Sequence, residues 1–101
     1  MFELDEEGER RERQKAKEIK KSRWWQNLIQ KTQCYYCDAP IMREEVTMDH
    51  VVPISRGGRS TAGNLVPACK NCNLLKRSYT AVEWEGYKSG LKNDDPHKID
   101  S

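Results

Sequence analysis

The chain has 101 residues, 36% apolar and 34% charged, with a net charge of +2 and a mean hydropathy of −0.98. One small domain is the expectation for that length, and so few aliphatic residues need a metal or covalent staple, for which four cysteines are the candidates. No run approaches the ~20 apolar residues of a membrane span, and Met1 and Phe2 lead into Glu and Arg rather than a signal-type apolar segment, so membrane and secreted classes are excluded and a reducing, cytoplasmic setting is expected.

Residues 1–31 read as a charged N-terminal helix. Residues 1–9 carry five acids and no base, whereas residues 10–31 carry nine bases against Glu12 and Glu18, a local +7. Glu6–Arg10, Glu7–Arg11 and Glu9–Arg13 stand at i,i+4 with the acid first, and the acid-to-base order suits the helix dipole. Between Asp5 and Glu18 only Ala16 offers an apolar contact, so the front half is expected to be solvated or fraying. Trp25, Leu28 and Ile29, extended by Ile19, give an apolar stripe at helical spacing, so the back half docks. Trp24 and Trp25 read as core, with base stacking as the sharper alternative.

Residues 32–80 form the next unit. Thr47 to Val52 is β-branched enough for a strand, Pro53 closes it, and Ser55 to Thr61 is loop by composition. Asn64 to Ala68 reads as a second short strand or turn, with Pro67 confining it to an edge. Cys69 to Ser78 reads as a short helix. Residues 53–80 carry Arg56, Arg59, Lys70, Lys76 and Arg77 and no acid, a local +5. Two basic blocks point to a polyanion, of which nucleic acid is the commonest inside a cell; for residues 10–23 by themselves a solvated face is the plainer reading. Residues 81–101 read as a C-terminal helix and a disordered tail. Thr80-Ala81-Val82-Glu83 fits a capping box, and the helix is expected to reach about Ser89, with Val82, Trp84, Tyr87 and Leu91 as packing residues. Lys92 to Ser101 is polar and includes His97, a bystander.

The cysteines fall as Cys34-x2-Cys37 and Cys69-x2-Cys72, separated by 31 residues. Each pair sets two thiolates on one ion from a tight knuckle, and two knuckles complete a tetrahedral all-sulfur shell suited to Zn²⁺. A shell with four protein ligands has no open position, so this zinc is expected to be structural. A thioredoxin-like redox pair would explain one C-x2-C and not two, and disulfides would need an oxidising compartment. Tyr35 and Tyr36 are expected to pack around the first knuckle.

The gap between the knuckles exceeds the ~15–20 residues of a plain double-knuckle site and holds Asp49-His50. A regular strand would send these two side chains to opposite faces, while relaxation at the strand end lets both approach one site. Asp49 is a hard ligand for Mg²⁺ or Mn²⁺, Asn73 at a helix start offers its amide oxygen to the same ion, and the imidazole of His50 is suited to deprotonate water. Alone, an Asp-His pair is most simply a surface or hydrogen-bonding pair, and Asn64 a turn stabiliser.

Taken together, Cys34-x2-Cys37, Asp49-His50-Val51-Val52-Pro53, Arg56-Gly57-Gly58, Asn64-Leu65-Val66-Pro67-Ala68-Cys69 and Cys72-Asn73-x2-Lys76 resemble the zinc-stapled branch of the HNH endonuclease family over residues 32–80. The resemblance implies an α+β, zinc-stabilised ββα-metal core and metal-dependent cleavage of DNA, double-stranded in the main. It implies Asp49 as a ligand of the catalytic metal, His50 as general base, Asn64 as the residue that holds the loop and orients His50, and Asn73 at the third signature position, where many members have His. Its implied products are 5′-phosphate and 3′-hydroxyl ends, and one site per chain implies nicking. Arg56, Lys70, Lys76 and Arg77 are candidate phosphate contacts. The rival from another class is a non-catalytic zinc module that binds nucleic acid; a third reading makes the N-terminal helix a surface for a second copy or for larger DNA-processing machinery.

Overall fold

The computed structural model describes residues 4–93, so the expected tail and His97 lie outside the described residues. Helix α1 spans Glu6–Lys20 and is capped by Asp5, whose carboxylate accepts the Gly8 amide at 2.7 Å. The single N-terminal helix expected from composition breaks at Lys21. The hydroxyl of Ser22 donates to the Ile19 carbonyl at 2.6 Å and accepts from the Trp25 amide. A side chain that serves the end of one helix and the start of the next stops the first and opens α2 (Arg23–Leu28). The turn buries Trp25 and Ile29, leaves Leu28 half-buried, and leaves Trp24 42% exposed, so of the two tryptophans only Trp25 is core.

Two antiparallel pairs follow. Strands β1 (Thr32–Gln33) and β2 (Pro40–Ile41) flank the first cysteine knuckle. Strands β3 (Thr47–His50) and β4 (Leu65–Ala68) pair with His50 opposite Leu65 and Met48 opposite Pro67. Because that sheet has two strands, both are edges, which is where a proline is tolerated. Helix α3 (Lys70–Ser78) begins at Cys69, whose sulfur accepts the Cys72 amide.

Helix α4 runs Ala81–Asn93, beyond the expected end at Ser89. Its capping box is formed reciprocally, with the Thr80 amide donating to Glu83 at 2.9 Å and the Glu83 amide to the Thr80 hydroxyl at 3.2 Å. Trp84 is buried and Tyr87 is partly buried, whereas Val82, expected to pack, is 82% exposed on the outer face. The core is accordingly centred on Cys34, Ala68, Cys72 and Trp84, with Tyr36, Tyr79 and Tyr87 against it. The Trp84 ring lies 5.0 Å from Tyr36 and 5.5 Å from Tyr87; aromatic area around sulfur replaces the aliphatic core the chain lacks. No described helix is long and apolar enough to cross a membrane.

Between β3 and β4 the chain makes a loop with little conformational latitude. Gly57 has φ 88°, a left-handed conformation that disfavours side chains. Gly58 is packed so closely that a Cβ there would fall 1.8 Å from the Val52 carbonyl oxygen. Its amide donates to the Pro53 carbonyl at 2.9 Å. A third constraint on the loop, independent of glycine, is the side chain of Asn64.

The front half of α1 is largely exposed, but the expectation of a solvated helix fails at Glu12. Glu12 is 1% exposed and reaches the far end of this loop, accepting the Ser60 amide at 2.6 Å. Lys15 and Arg59 stand at 3.3 and 3.4 Å from its other oxygen. Backbone donation from Ser60, joined by the two cations, outweighs burial and holds the Glu12 carboxyl below its ordinary value. A buried carboxylate is tolerable because it is multiply bonded. Of the expected i,i+4 pairs, Glu9–Arg13 stands at ion-pair distance, 3.1 Å.

Candidate active site and metal centre

The cysteine pairs converge. Their four sulfurs all lie within 4.8 Å of one another, with Cys37 and Cys69 3.9 Å apart. An ion at about 2.3 Å from each thiolate needs neighbouring sulfurs about 3.8 Å apart, so the set fits one tetrahedral Zn²⁺. The knuckles are made by backbone amides aimed at sulfur, Tyr36 to Cys34 and Cys72 to Cys69, both at 3.4 Å. Asp38, at φ 64°, turns the first of them back into β2. Burial, followed by the neighbouring sulfurs, pushes the Cys72 thiol well above its ordinary value. A cation shared by the four sulfurs is what reverses that tendency and stabilises thiolates. Tyr87 Oη stands 4.0 Å from the Cys72 sulfur.

The second site is an open cleft of about 630 Å³ lined by β3, the loop after it, α3 and α4. Asp49, His50, Asn73, Lys76, Arg56 and Arg77 all line it, so the structure brings these together; Lys70 is exposed and is not part of the lining.

The strand alternation divides Asp49 from His50. Thr47 and Asp49, two apart on β3, face Asn73 and Lys76, three apart on α3. The Thr47 hydroxyl donates to the Ala68 carbonyl at 2.7 Å, which spends its only proton, so it accepts from the Asn73 amide nitrogen at 3.0 Å. That assignment leaves the Asn73 amide oxygen available. One rung along, Lys76 Nζ lies 2.6 Å from Asp49 Oδ2, and the Tyr36 hydroxyl also donates to that oxygen. Lys76 additionally bonds the carbonyls of His50 and Val51. Its side chain is only 10% exposed, because carbonyls at the end of β3 and the Asp49 carboxylate draw the ammonium inward. Burial and the Asp49 carboxylate hold the Tyr36 hydroxyl firmly protonated.

His50 points the other way, with Nε2 2.9 Å from the hydroxyl of Ser60. Burial lowers the His50 pKa below 6.5, with the Lys76 ammonium acting in the same direction and Asp49 and Glu12 opposing. The ring is therefore neutral at pH 7. Asn64 staples the loop between them. Its side chain accepts the Val52 amide at 2.8 Å and donates to the carbonyls of Val52 and Arg59 at 3.0 and 2.9 Å, while its own carbonyl takes the Val51 amide at 2.9 Å.

Sequence reasoning missed three participants here. Tyr36, assigned to the knuckle, also reaches Asp49. Ser60 was an unremarked loop residue, and Glu12 one acid in a basic run; neither carries a local pattern that sets it apart.

Residues 34–78 match the family model described as HNH endonuclease. This segment is similar to the HNH endonucleases. It contains both knuckles, β3, β4 and α3. A stretch of 56 residues is also 39% identical to the CRISPR-associated endonuclease Cas9 of Corynebacterium diphtheriae, covering 54% of this chain and 5% of that protein. The chain thus spans about a twentieth of that relative's length. Helices α1 and α4 flank residues 34–78 on either side in sequence, and each supplies a buried residue, Glu12 and Trp84, to what lies inside them.

Proposed function

We propose that this chain is a DNA endonuclease that hydrolyses phosphodiester bonds at the cleft. The observation that carries the reading is the meeting, in one open cleft of an HNH-like segment, of a neutral imidazole, a carboxylate and an amide oxygen. Asp49 keeps its second carboxylate oxygen and Asn73 its amide oxygen for a hard divalent ion, a pair of oxygen donors that suits Mg²⁺ or Mn²⁺ completed by water. When bound, such an ion supplies neutralisation of the charge that develops on the scissile phosphate and the leaving oxygen.

The remaining work falls to side chains of the chain. His50 takes the proton from an attacking water; its lowered pKa keeps the ring unprotonated and ready at neutral pH. Asn64 holds the backbone beyond His50 so that the ring stays at the cleft. Arg56 and Arg77, exposed along the lining, receive backbone phosphates. Lys76 balances Asp49 before an ion arrives. The knuckle zinc is structural, since all four of its positions are taken by protein sulfur. One cleft per chain makes one cut, so the product is a nicked duplex with 5′-phosphate and 3′-hydroxyl ends.

The test is conversion of supercoiled plasmid to the nicked circle with added Mg²⁺ or Mn²⁺. Wild-type protein should nick and His50→Ala should not. Nicking by His50→Ala at the wild-type rate, with a mock purification clean, ends the reading and leaves a nucleic-acid-binding zinc module.

A further inference from the structure

Helix α1 lies outside the HNH-like segment, yet its residue Glu12 is among the most buried in the molecule and the Ser60 hydroxyl connects it to His50. Ser60 Oγ sits 2.6 Å from the main-chain carbonyl of Glu12 and 2.9 Å from His50 Nε2. A carbonyl oxygen only accepts, so the single hydroxyl proton of Ser60 is committed to α1. The same oxygen then meets His50 as an acceptor, which requires a proton on Nε2. In a neutral imidazole that leaves the lone pair on Nδ1.

Resting on the endonuclease reading, we propose that Ser60 and Glu12 are positioning residues: through them α1 fixes His50 as the Nε2-protonated tautomer, so that Nδ1 is the nitrogen that takes the proton from water. The carboxylate of Glu12 contributes by holding the Ser60 amide at 2.6 Å, so hydroxyl and backbone of the same serine are both tied to one turn of α1. With Ser60 5% exposed and Glu12 1% exposed, water has little access to replace either contact. The N-terminal helix is thereby a working part of the cleft and not a detachable basic arm.

The decisive measurement is nitrogen NMR of the full chain carrying ¹⁵N-histidine, in a His97→Gln background, at a pH where the ring is neutral. Wild-type His50 should report a protonated Nε2, and a protonated Nδ1 overturns the proposal whatever the activity. Ser60→Ala should give a mixture of tautomers and lower kcat for nicking by about 10–100-fold, the range typical when a hydrogen-bond partner that orients a functional imidazole is removed. KM should hold, because no phosphate contact is touched, and Ser60→Thr should restore both readouts. Glu12→Leu should resemble Ser60→Ala, and Glu12→Gln, which can still accept from the Ser60 amide, should lose less. A kcat loss with the tautomer unchanged also overturns the proposal, since the serine then serves only the fold. If Ser60→Ala does not fold, the wild-type spectrum and Ser60→Thr still decide. If wild-type protein does not nick DNA at all, the endonuclease reading fails while the spectrum continues to test the positioning.

Discussion

The knuckle site and the cleft are built in opposite ways. The four sulfurs come from two tight turns, each pair three residues apart, and their geometry is made by amides of the same turns. The cleft is assembled from one strand, the loop after it, α3 and α4, and that loop is in turn tied to α1, which begins almost thirty residues before the first cysteine. Local construction gives the first site autonomy; distributed construction makes the second sensitive to contacts far along the chain. The expected cost of a substitution should therefore be all-or-none at the knuckles and graded around the cleft.

The largest effect should come from Cys69→Ser. It removes one thiolate and the sulfur that caps α3 at once. Since zinc affinities of this kind are worth about 10–16 kcal/mol and appear as folding energy, the variant should lose its zinc and its cooperative melt, read by elemental analysis and circular dichroism. Retention of one zinc and a sharp melt would show that three thiols suffice and that the contrast is overdrawn.

Next comes His50→Ala, which should lower nicking by about 10²–10⁴-fold with DNA affinity nearly unchanged. Asp49→Ala should also lose nicking, but excess Mn²⁺ should recover part of it, and the same titration should leave His50→Ala inactive. Dilute EDTA should stop wild-type cleavage while one zinc per chain stays bound. Loss of both together would mean the two sites are not separable.

The intermediate effects are those of charge. His50 has a lowered pKa, so the wild-type rate should be flat at neutral pH and fall as pH drops through a value below 6.5. Glu12 has its pKa lowered in the fold, so its contribution to stability is complete above about 4.5 and is lost as pH falls through the lower native value. Glu12→Gln should cost about 1–3 kcal/mol near neutrality and narrow its gap to wild type in acid, measured by urea unfolding at each pH. A gap that widens on acidification would contradict the sign.

The smallest effect should be that of Arg56→Gln with Arg77→Gln. If both side chains receive phosphates, the double variant should bind DNA more weakly and reduce the salt dependence of log affinity by about two phosphate contacts, without altering zinc content.

What could be read in advance follows the same division. The C-x2-C pairs, Asp49-His50, the Gly57-Gly58 turn and the Thr80–Glu83 box are patterns contained within a few consecutive residues, and each sits in the expected kind of element. The break at Ser22 was hidden because a serine inside a helical run is compatible with either continuation or capping. Glu12 was misread because the acid, flanked by Arg11 and Arg13, looks like any solvated helical charge until the Ser60 loop is folded over it. Lys76 was read by charge, and its bonds to Asp49 and to the chain's own carbonyls carry no local sequence pattern.

The placement of Glu12 and Trp84 bears on how this unit can be transplanted. Residues 34–78 are what sequence similarity delimits, but a fragment cut at those borders would expose the aromatic and sulfur surfaces that Trp84 covers and strand Ser60 without its anchor. By these contacts the smallest portable piece should run from α1 through α4. An engineer who grafts the shorter segment into a host protein would have to supply, from the host, one buried acceptor over the loop and one large ring over the knuckles.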